Sequence, residues 1–485
     1  MFKRSIMATT QTLDTIIIGA GWSGAVAARE LATKGRKVLV LEARDRVGGR
    51  ASTWVKGDVK VDVGCSWIHG YREGNPARYI AQDLGVVSND FMVAIRVIEL
   101  GLAKELDCLG RLASSEADNL RATLGAAQAS AKLPHPPPSP SASLASALFG
   151  DDSALTASSQ KDLAAALARS LEIPLGLKLE KASLKWAGWE TITAFAGSDA
   201  APEGGYEALI NKVIDDAKAK GAEVRLSTKI ARVSQSRDGV VVTDAQGNKF
   251  IATTAISTIP LGTLKTLPES TFNPPLPPRL QEAIKGTHVG VLEKLLLQYS
   301  TAWWPEADSA GSYTFLPSSK KPLTGSSTPA EIFEASTLVC ANFASPSLPG
   351  SSPTLLTYLS ETPATALLRF DPNEVAAAYH KFLVSRFKPS SEPPQPSETS
   401  LTNWLTDEFS RGATTTPSIV SENGERSPLD FKELGRPVWD GKLGFAGEHT
   451  EMENRGSVAG AVISGYREAE RVGRLLKLVE ESAKL

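Results

Sequence analysis

The regular pattern of the chain begins at "DTIIIGAGWSGAVAARELATKGRKVLVLEA". An apolar run passes through glycines into helix-forming residues with apolar positions at helical spacing, then closes on a second apolar run, "KVLVLE". Two short apolar runs around a helical period predict a β-α-β unit with buried strands. From about Leu84 to Ala201 the pattern is mostly helical. It is broken by "KLPHPPPSPSAS", whose prolines lack the donors a helix interior needs and predict a surface connector. After the helical "YEALINKVIDDAKAKG", stopped by Gly221, the runs "AEVRLS", "IARVSQS", "GVVVTDA" and "KFIATTAIST" read as a β meander. Its turns are signalled by Asp238-Gly239 and Gln246-Gly247. Beyond Pro274, strands and helices mix between proline-rich breaks such as "FKPSSEPPQPSETS", and "SVAGAVISGYREAERVGRLLKLVEE" predicts a long amphipathic helix docked on the core.

Composition narrows this picture mainly by exclusion. The chain has 485 residues, 42% of them apolar, enough for about two or three globular domains with a large core. A net charge of −2 carries no electrostatic footprint for nucleic acid and no polybasic membrane anchor, so a small molecule is the expected partner. Cys65, Cys108 and Cys340 lack metal-ligand spacing and predict free thiols in a reducing compartment. No apolar run reaches the ~18 residues that span a bilayer, and "MFKRSIMATT" lacks the apolar stretch of a secretory signal. The expectation is a soluble, intracellular protein. The terminal Ala483-Lys484-Leu485 is close to the S-K-L peroxisomal address, which makes the peroxisomal import receptor an expected partner and the cytoplasm the other expected location.

Candidate chemistry starts at Gly19, Gly21 and Gly24, a G-x-G-x-x-G between the first strand and its helix. Glycines there let the backbone approach a pyrophosphate, and the helix N-terminus favours its charge. Glu42 ends the second strand roughly 20 residues on, where a carboxylate can accept from ribose hydroxyls. Together these residues predict dinucleotide binding. Two features favour FAD over NAD. "RDRVGGR" adds a second glycine pair with arginines, and "LGFAGEHTEMENRGSVAGAVISG" places Glu448 after a strand and Gly456-Ser457-Val458 at a helix start.

At these residues the chain resembles the flavin-containing amine oxidases, the family of polyamine oxidases, monoamine oxidases and lysine-specific histone demethylases. The matching blocks run in family order: "IIIGAGWSGAVAARELATKGRKVLVLEARDRVGGR", "VDVGCSWIHG", "PEGGYEALI", "AISTIPLGTLK", "GVLEKLLLQY", "NWLTDEFSRGA" and "LGFAGEHT". Within the family, "GCSWIHG" and "FAGEHT" are most similar to polyamine oxidases. The resemblance implies an α/β fold with a discontinuous, Rossmann-like FAD-binding domain (8–83, 203–285 and 405–478) and a mixed α+β substrate-binding domain (84–202 and 286–404). It also implies that Glu42 binds the adenosine ribose, that Arg44, Gly49 and Arg50 lie along the pyrophosphate and flavin, and that Ser66 and Trp67 sit near the ring. Ile230 would meet the adenine through its backbone, Glu448 would reach the ribityl side, and Ser457 and Val458 would offer backbone N–H groups to the ring.

At the reacting end, Lys294 in "GVLEKLLLQY" is flanked by leucines, an expensive place for a charge without compensation. The resemblance makes it an active-site lysine that holds a water and assists reoxidation by oxygen. Trp404 would wall the flavin, and His69 in "GCSWIHG" would face the reacting amine. Ala413 stands where monoamine oxidases carry a cysteine bonded to flavin, so FAD is expected to be non-covalent. Thr414 and Ser457 stand where those enzymes carry an aromatic cage, which leaves a wider pocket. The implied activity is oxidation of a C–H next to an amine nitrogen by hydride transfer to flavin N5, with imine hydrolysis and O2 reduced to H2O2. A polyamine is the expected substrate. The alternatives are a flavin oxidase for another amine, an amino acid or a natural-product intermediate, and a flavin-binding module without turnover.

Overall fold

Leu13–Ile18 (β1) form a strand whose last four residues are buried, with Ile16 and Ile18 on one face and Ile17 on the other. The computed structural model describes residues 13–69, 74–84, 138–186, 199–202, 204–308, 310–346, 348, 351–419 and 427–482, with short pieces at 95–98, 104–107, 110–111, 118–119, 122–123 and 125–127. The terminal Ala483-Lys484-Leu485, Cys108, residues 8–12 of the first expected segment and residues 132–137 of the proline-rich connector lie outside the described residues.

Helix α1 (Trp22–Thr33) carries the chain from β1 to the parallel strand β2 (Val38–Leu41), completing the β-α-β unit. A hairpin follows, β3 (Thr53–Lys56) with β4 (Val59–Asp62). After helix α2 (Tyr206–Ala219) come β5 (Glu223–Arg225), β6 (Ile230–Gln235), β7 (Val240–Asp244) and β8 (Lys249–Ser257). The strands β6, β7 and β8 form the expected antiparallel meander. β5 does not join it: "AEVRLS" pairs parallel with β2 at the far edge of the same sheet. Strand β8 pairs antiparallel with β7 through its first residues, while Ala255, Ile256 and Ser257 pair parallel with Leu443–Phe445. Among the described residues this sheet has eight strands, covered on one face by α1, α2 and the terminal helix Val458–Ser482.

A second, mostly antiparallel sheet, of seven strands among the described residues, is built around β9 (Glu293–Gln298), which lies between Thr354–Leu359 and Glu398–Leu401. Leu295 and Leu297 point to a core shared with the helix Pro372–Phe387, while Leu296 packs the other way against Val61 and Val63. The two-residue period puts Lys294 on the Leu296 face, toward the β3–β4 hairpin. Lys294 is thus on an interior strand.

The helical expectation for residues 84–201 needs correction. The described part contains the helices Leu144–Leu148, Ala154–Ala157, Lys161–Ala168 and Glu172–Leu175, but also strands Ile95–Ile98, Lys104–Asp107 and Asp199–Pro202. Lys104–Asp107 is paired by Ser312–Phe315, about two hundred residues away in the chain, a nonlocal partner that a local period does not reveal.

Candidate active site

The glycine-rich turns meet at the carboxyl end of β1. Gly24 lies on α1 where a Cβ would run into the Gly19 carbonyl, so only glycine lets the helix pack this close. The Gly48 N–H donates to the Ala20 carbonyl at 2.9 Å, and Gly48 holds a φ of +101° that favours glycine. The two glycine turns thus share one wall of a cavity of about 500 Å³. Helix α1 points its N-terminus there and has no acidic side chain in its first turn, so its free N–H groups and dipole can meet an anion.

Four charged residues of "EARDRVGGR", Glu42, Arg44, Arg46 and Arg50, have defined partners. Buried Glu42 accepts from the backbone N–H of Ala20 at 2.6 Å and of Arg44 at 2.8 Å, tying the end of β2 to the first glycine turn. Arg44 lines the cavity, but its guanidinium pairs with both oxygens of Asp407 at 2.9 and 2.6 Å and lies over the Phe409 ring. Arg46, which the sequence pattern did not single out, donates to the carbonyls of Val47, Gly49 and Ala51 and holds the second glycine turn in shape.

Arg50 reaches across the fold. It donates to the Ala413 carbonyl and to Glu448, each at 2.9 Å. Glu448 also accepts from the Thr415 hydroxyl at 2.7 Å and the Gly456 N–H at 2.9 Å, which places it behind the start of the terminal helix. Desolvation raises the Glu448 carboxyl, but the Arg50 guanidinium, His449 and the Thr415 hydroxyl outweigh it and hold it below its ordinary value.

Beyond the cavity wall lies a second cluster. Lys294, only 4% exposed, donates from Nζ to the Asp62 carbonyl at 3.1 Å, the Gly64 carbonyl at 2.5 Å and Ser66 Oγ at 2.5 Å. Three acceptors match the three donors of an ammonium, and the Tyr358 ring lies 5.3 Å away. Burial lowers the Lys294 ammonium to about 8, with the Asp62 carboxylate pulling the other way. Burial raises Asp62 to about 6, opposed by hydrogen bonds from Thr53 and Tyr206 and by Lys294. The Trp404 indole donates to the Val63 carbonyl at 3.2 Å. Lys294 and Trp404 therefore grip three consecutive carbonyls, those of residues 62, 63 and 64, immediately before Cys65, which lines the cavity.

Of the residues expected to hold cofactor, Gly19, Gly21, Glu42, Arg44, Gly49, Arg50, Ile230, Glu448, Ser457 and Val458 line the cavity. Gly24 packs behind the wall, while Ser66 and Trp404 belong to the lysine cluster. Trp67 packs with the hairpin core that contains Leu296, and His69 is exposed, its carbonyl accepting from Asn75 Nδ2 at 3.0 Å. The pattern missed Arg46, Asp407 and Glu293. Asp407 lies within the quoted "NWLTDEFSRGA", but its pairing with Arg44 spans 363 positions and has no local signal.

The donor set fits a flavin dinucleotide. A backbone cradle and helix N-terminus suit the diphosphate, a buried carboxylate stands at one end, and the Arg50–Glu448 pair and Cys65 stand at the other. If the flavin is FAD, Glu42→Gln is expected to weaken its binding by about 10- to 100-fold, the equivalent of losing charge-assisted hydrogen bonds of about 1.5–3 kcal/mol. Isothermal titration of the apoprotein with FAD measures this loss.

Sequence comparison points the same way. The family model for flavin containing amine oxidoreductase matches residues 22–473. The chain is similar to polyamine oxidase 3 of Oryza sativa subsp. japonica, at 25% identity over 97% of this chain and 91% of that protein. Polyamine oxidase 2 of Arabidopsis thaliana is 27% identical over 95% of this chain and 88% of its own length. Human lysine-specific histone demethylase 2 is also 27% identical over 95% of this chain, which spans 53% of that protein. With the family match running from the first helix through the second glycine turn and the lysine strand into the terminal helix, the chain belongs to the flavin-containing amine oxidoreductase family.

Proposed function

We propose that this chain is an FAD-dependent polyamine oxidase that oxidises the carbon beside a secondary amine nitrogen of spermine, spermidine or an acetylated form. The observation that carries the reading is the buried Lys294 ammonium, held by Gly64 and Ser66 on either side of the cavity-lining Cys65. When bound, the flavin supplies a hydride acceptor for the amine C–H and returns the electrons to oxygen as hydrogen peroxide. Glu42 holds the ribose, the α1 N-terminus meets the diphosphate, and the start of the terminal helix offers N–H groups to the ring. Lys294 holds its protons at Nζ behind the cavity-lining Cys65, and Ser66 and the two carbonyls fix its direction. The apolar surroundings of the site favour the neutral amine, whose lone pair is needed as the C–H bond breaks.

Non-covalent FAD is supported by Ala413, which lines the cavity without a nucleophile. Burial also pushes the Cys65 thiol up, far from the thiolate needed for attachment. The polyamine preference is supported by the "GCSWIHG" block and by the polyamine oxidases among the relatives. A wide approach is supported by Thr414 and Ser457, small residues at the positions where an aromatic cage is expected in monoamine oxidases. A peroxide-coupled screen of spermine, spermidine, acetylated polyamines, monoamines and L-amino acids tests the reading. Turnover confined to the polyamines is the expected result, and turnover confined to monoamines or amino acids would overturn the substrate assignment.

A further inference from the structure

Glu293 precedes Lys294 on β9 and is 0% exposed. Its carboxylate accepts from Thr402 Oγ1 at 2.5 Å and from the backbone N–H groups of Trp404 at 3.0 Å and Leu405 at 2.8 Å. All three partners act as donors, so an acceptor-only carboxylate suits the place and an amide does not. No ion pair involves Glu293 among the described residues, and burial raises its carboxyl against the three hydrogen bonds. A buried acid without a counter-cation is costly, and an apolar residue would fill the volume more cheaply.

These bonds set the loop that carries Trp404. The Thr402 hydroxyl accepts from the Lys294 backbone N–H at 2.8 Å while donating to Glu293, and the Thr402 N–H returns to the Lys294 carbonyl at 2.9 Å. The same loop is tied by Asp407 to Arg44 and by the Ala413 carbonyl to Arg50. We propose that Glu293 is a positioning residue for amine oxidation: its carboxylate locks the Trp404 loop to the Lys294 strand, so that indole and ammonium hold the 62–64 carbonyls together. The three consecutive carbonyls then present Cys65 to the cavity in one fixed arrangement.

The inference rests on the reading of Lys294 and Trp404 as the flavin end of the site. Its test compares FAD-loaded wild-type protein with Trp404→Phe, Glu293→Gln and Thr402→Val, reading the visible absorption of the bound flavin and the rate of its reoxidation by oxygen. Glu172→Gln serves as the control, since that buried carboxylate accepts from the Leu179 N–H and pairs with Arg169 in the helical region away from the cavity. Glu293→Gln and Thr402→Val are expected to move the flavin band in the same direction as Trp404→Phe. They should slow reoxidation on the order of tenfold, as a small misplacement of a catalytic group does. Glu172→Gln should lower the thermal midpoint without moving the band. If Glu293→Gln does not fold, Thr402→Val still reads the link, because it removes the two hydrogen bonds of the hydroxyl, to Glu293 and from the Lys294 N–H, and leaves the carboxylate with its Trp404 and Leu405 partners. A band moved by Trp404→Phe but left in place by the Glu293 and Thr402 variants overturns the inference alone. A protein that binds no flavin, or whose band ignores Trp404→Phe, overturns the functional reading and the inference with it.

Discussion

Glu448→Ala is expected to lower the unfolding free energy by about 3 kcal/mol, the lower end of the cost of breaking a buried charge pair, because the Arg50 side chain retains 22% exposure. The variant strands the Arg50 guanidinium, the Thr415 hydroxyl and the Gly456 N–H together. Since Arg50 and Gly456 both line the cavity, FAD affinity should fall with stability. Urea denaturation of the apoprotein separates the first effect from the second, which FAD titration reads. The pH dependence has a definite sign. Glu448 is held below its ordinary value of 4.5, so its contribution is present above that pH and is lost as the pH falls through the lower folded value. An unchanged denaturation midpoint together with unchanged FAD affinity would contradict the role given to the Arg50–Glu448 pair.

Lys294→Met is expected to slow flavin reoxidation by about 10²-fold, the scale of a lost positioned proton donor, with only a modest change in substrate binding. With Lys294 lowered to about 8, the wild-type oxygen reaction should decline as the pH rises through that value, and the variant should lose the inflection. Stability carries an independent signature. The folded value lies below the ordinary 10.5, so the unfolded chain binds more protons between about 8 and 10.5, and wild-type stability rises across that window. Lys294→Met should lack the rise. Stopped-flow mixing of reduced enzyme with oxygen, repeated across pH, checks the kinetic half, and denaturation at the same pH values checks the other.

The features that could be read from sequence are those built from neighbours in the chain. The β1-α1-β2 unit, Gly19, Gly21 and Glu42 belong to one local segment whose apolar period and glycine spacing carry the signal. Lys294 was visible because a charge among leucines is costly. The partners that give these residues their geometry were not visible. Glu42 closes on the Ala20 N–H rather than standing free, and Arg44, expected along a pyrophosphate, is committed to Asp407 in a loop from the far end of the chain. The grip of Lys294 and Trp404 on the 62–64 carbonyls joins three distant segments through backbone atoms, which side-chain pattern does not encode. The strand Lys104–Asp107 was misread as helical surroundings for the same reason: its identity comes from a partner strand, not from its own period.

On the proposed function, the cavity holds FAD and the lysine end of the site oxidises a polyamine. Anaerobic mixing of the FAD-loaded protein with spermine or spermidine, followed at the flavin absorption band, tests it most directly. The band is expected to bleach in a single turnover, and admitting oxygen is expected to restore it with release of hydrogen peroxide. A chain that retains no FAD, or an oxidised band that persists with every polyamine, would contradict it.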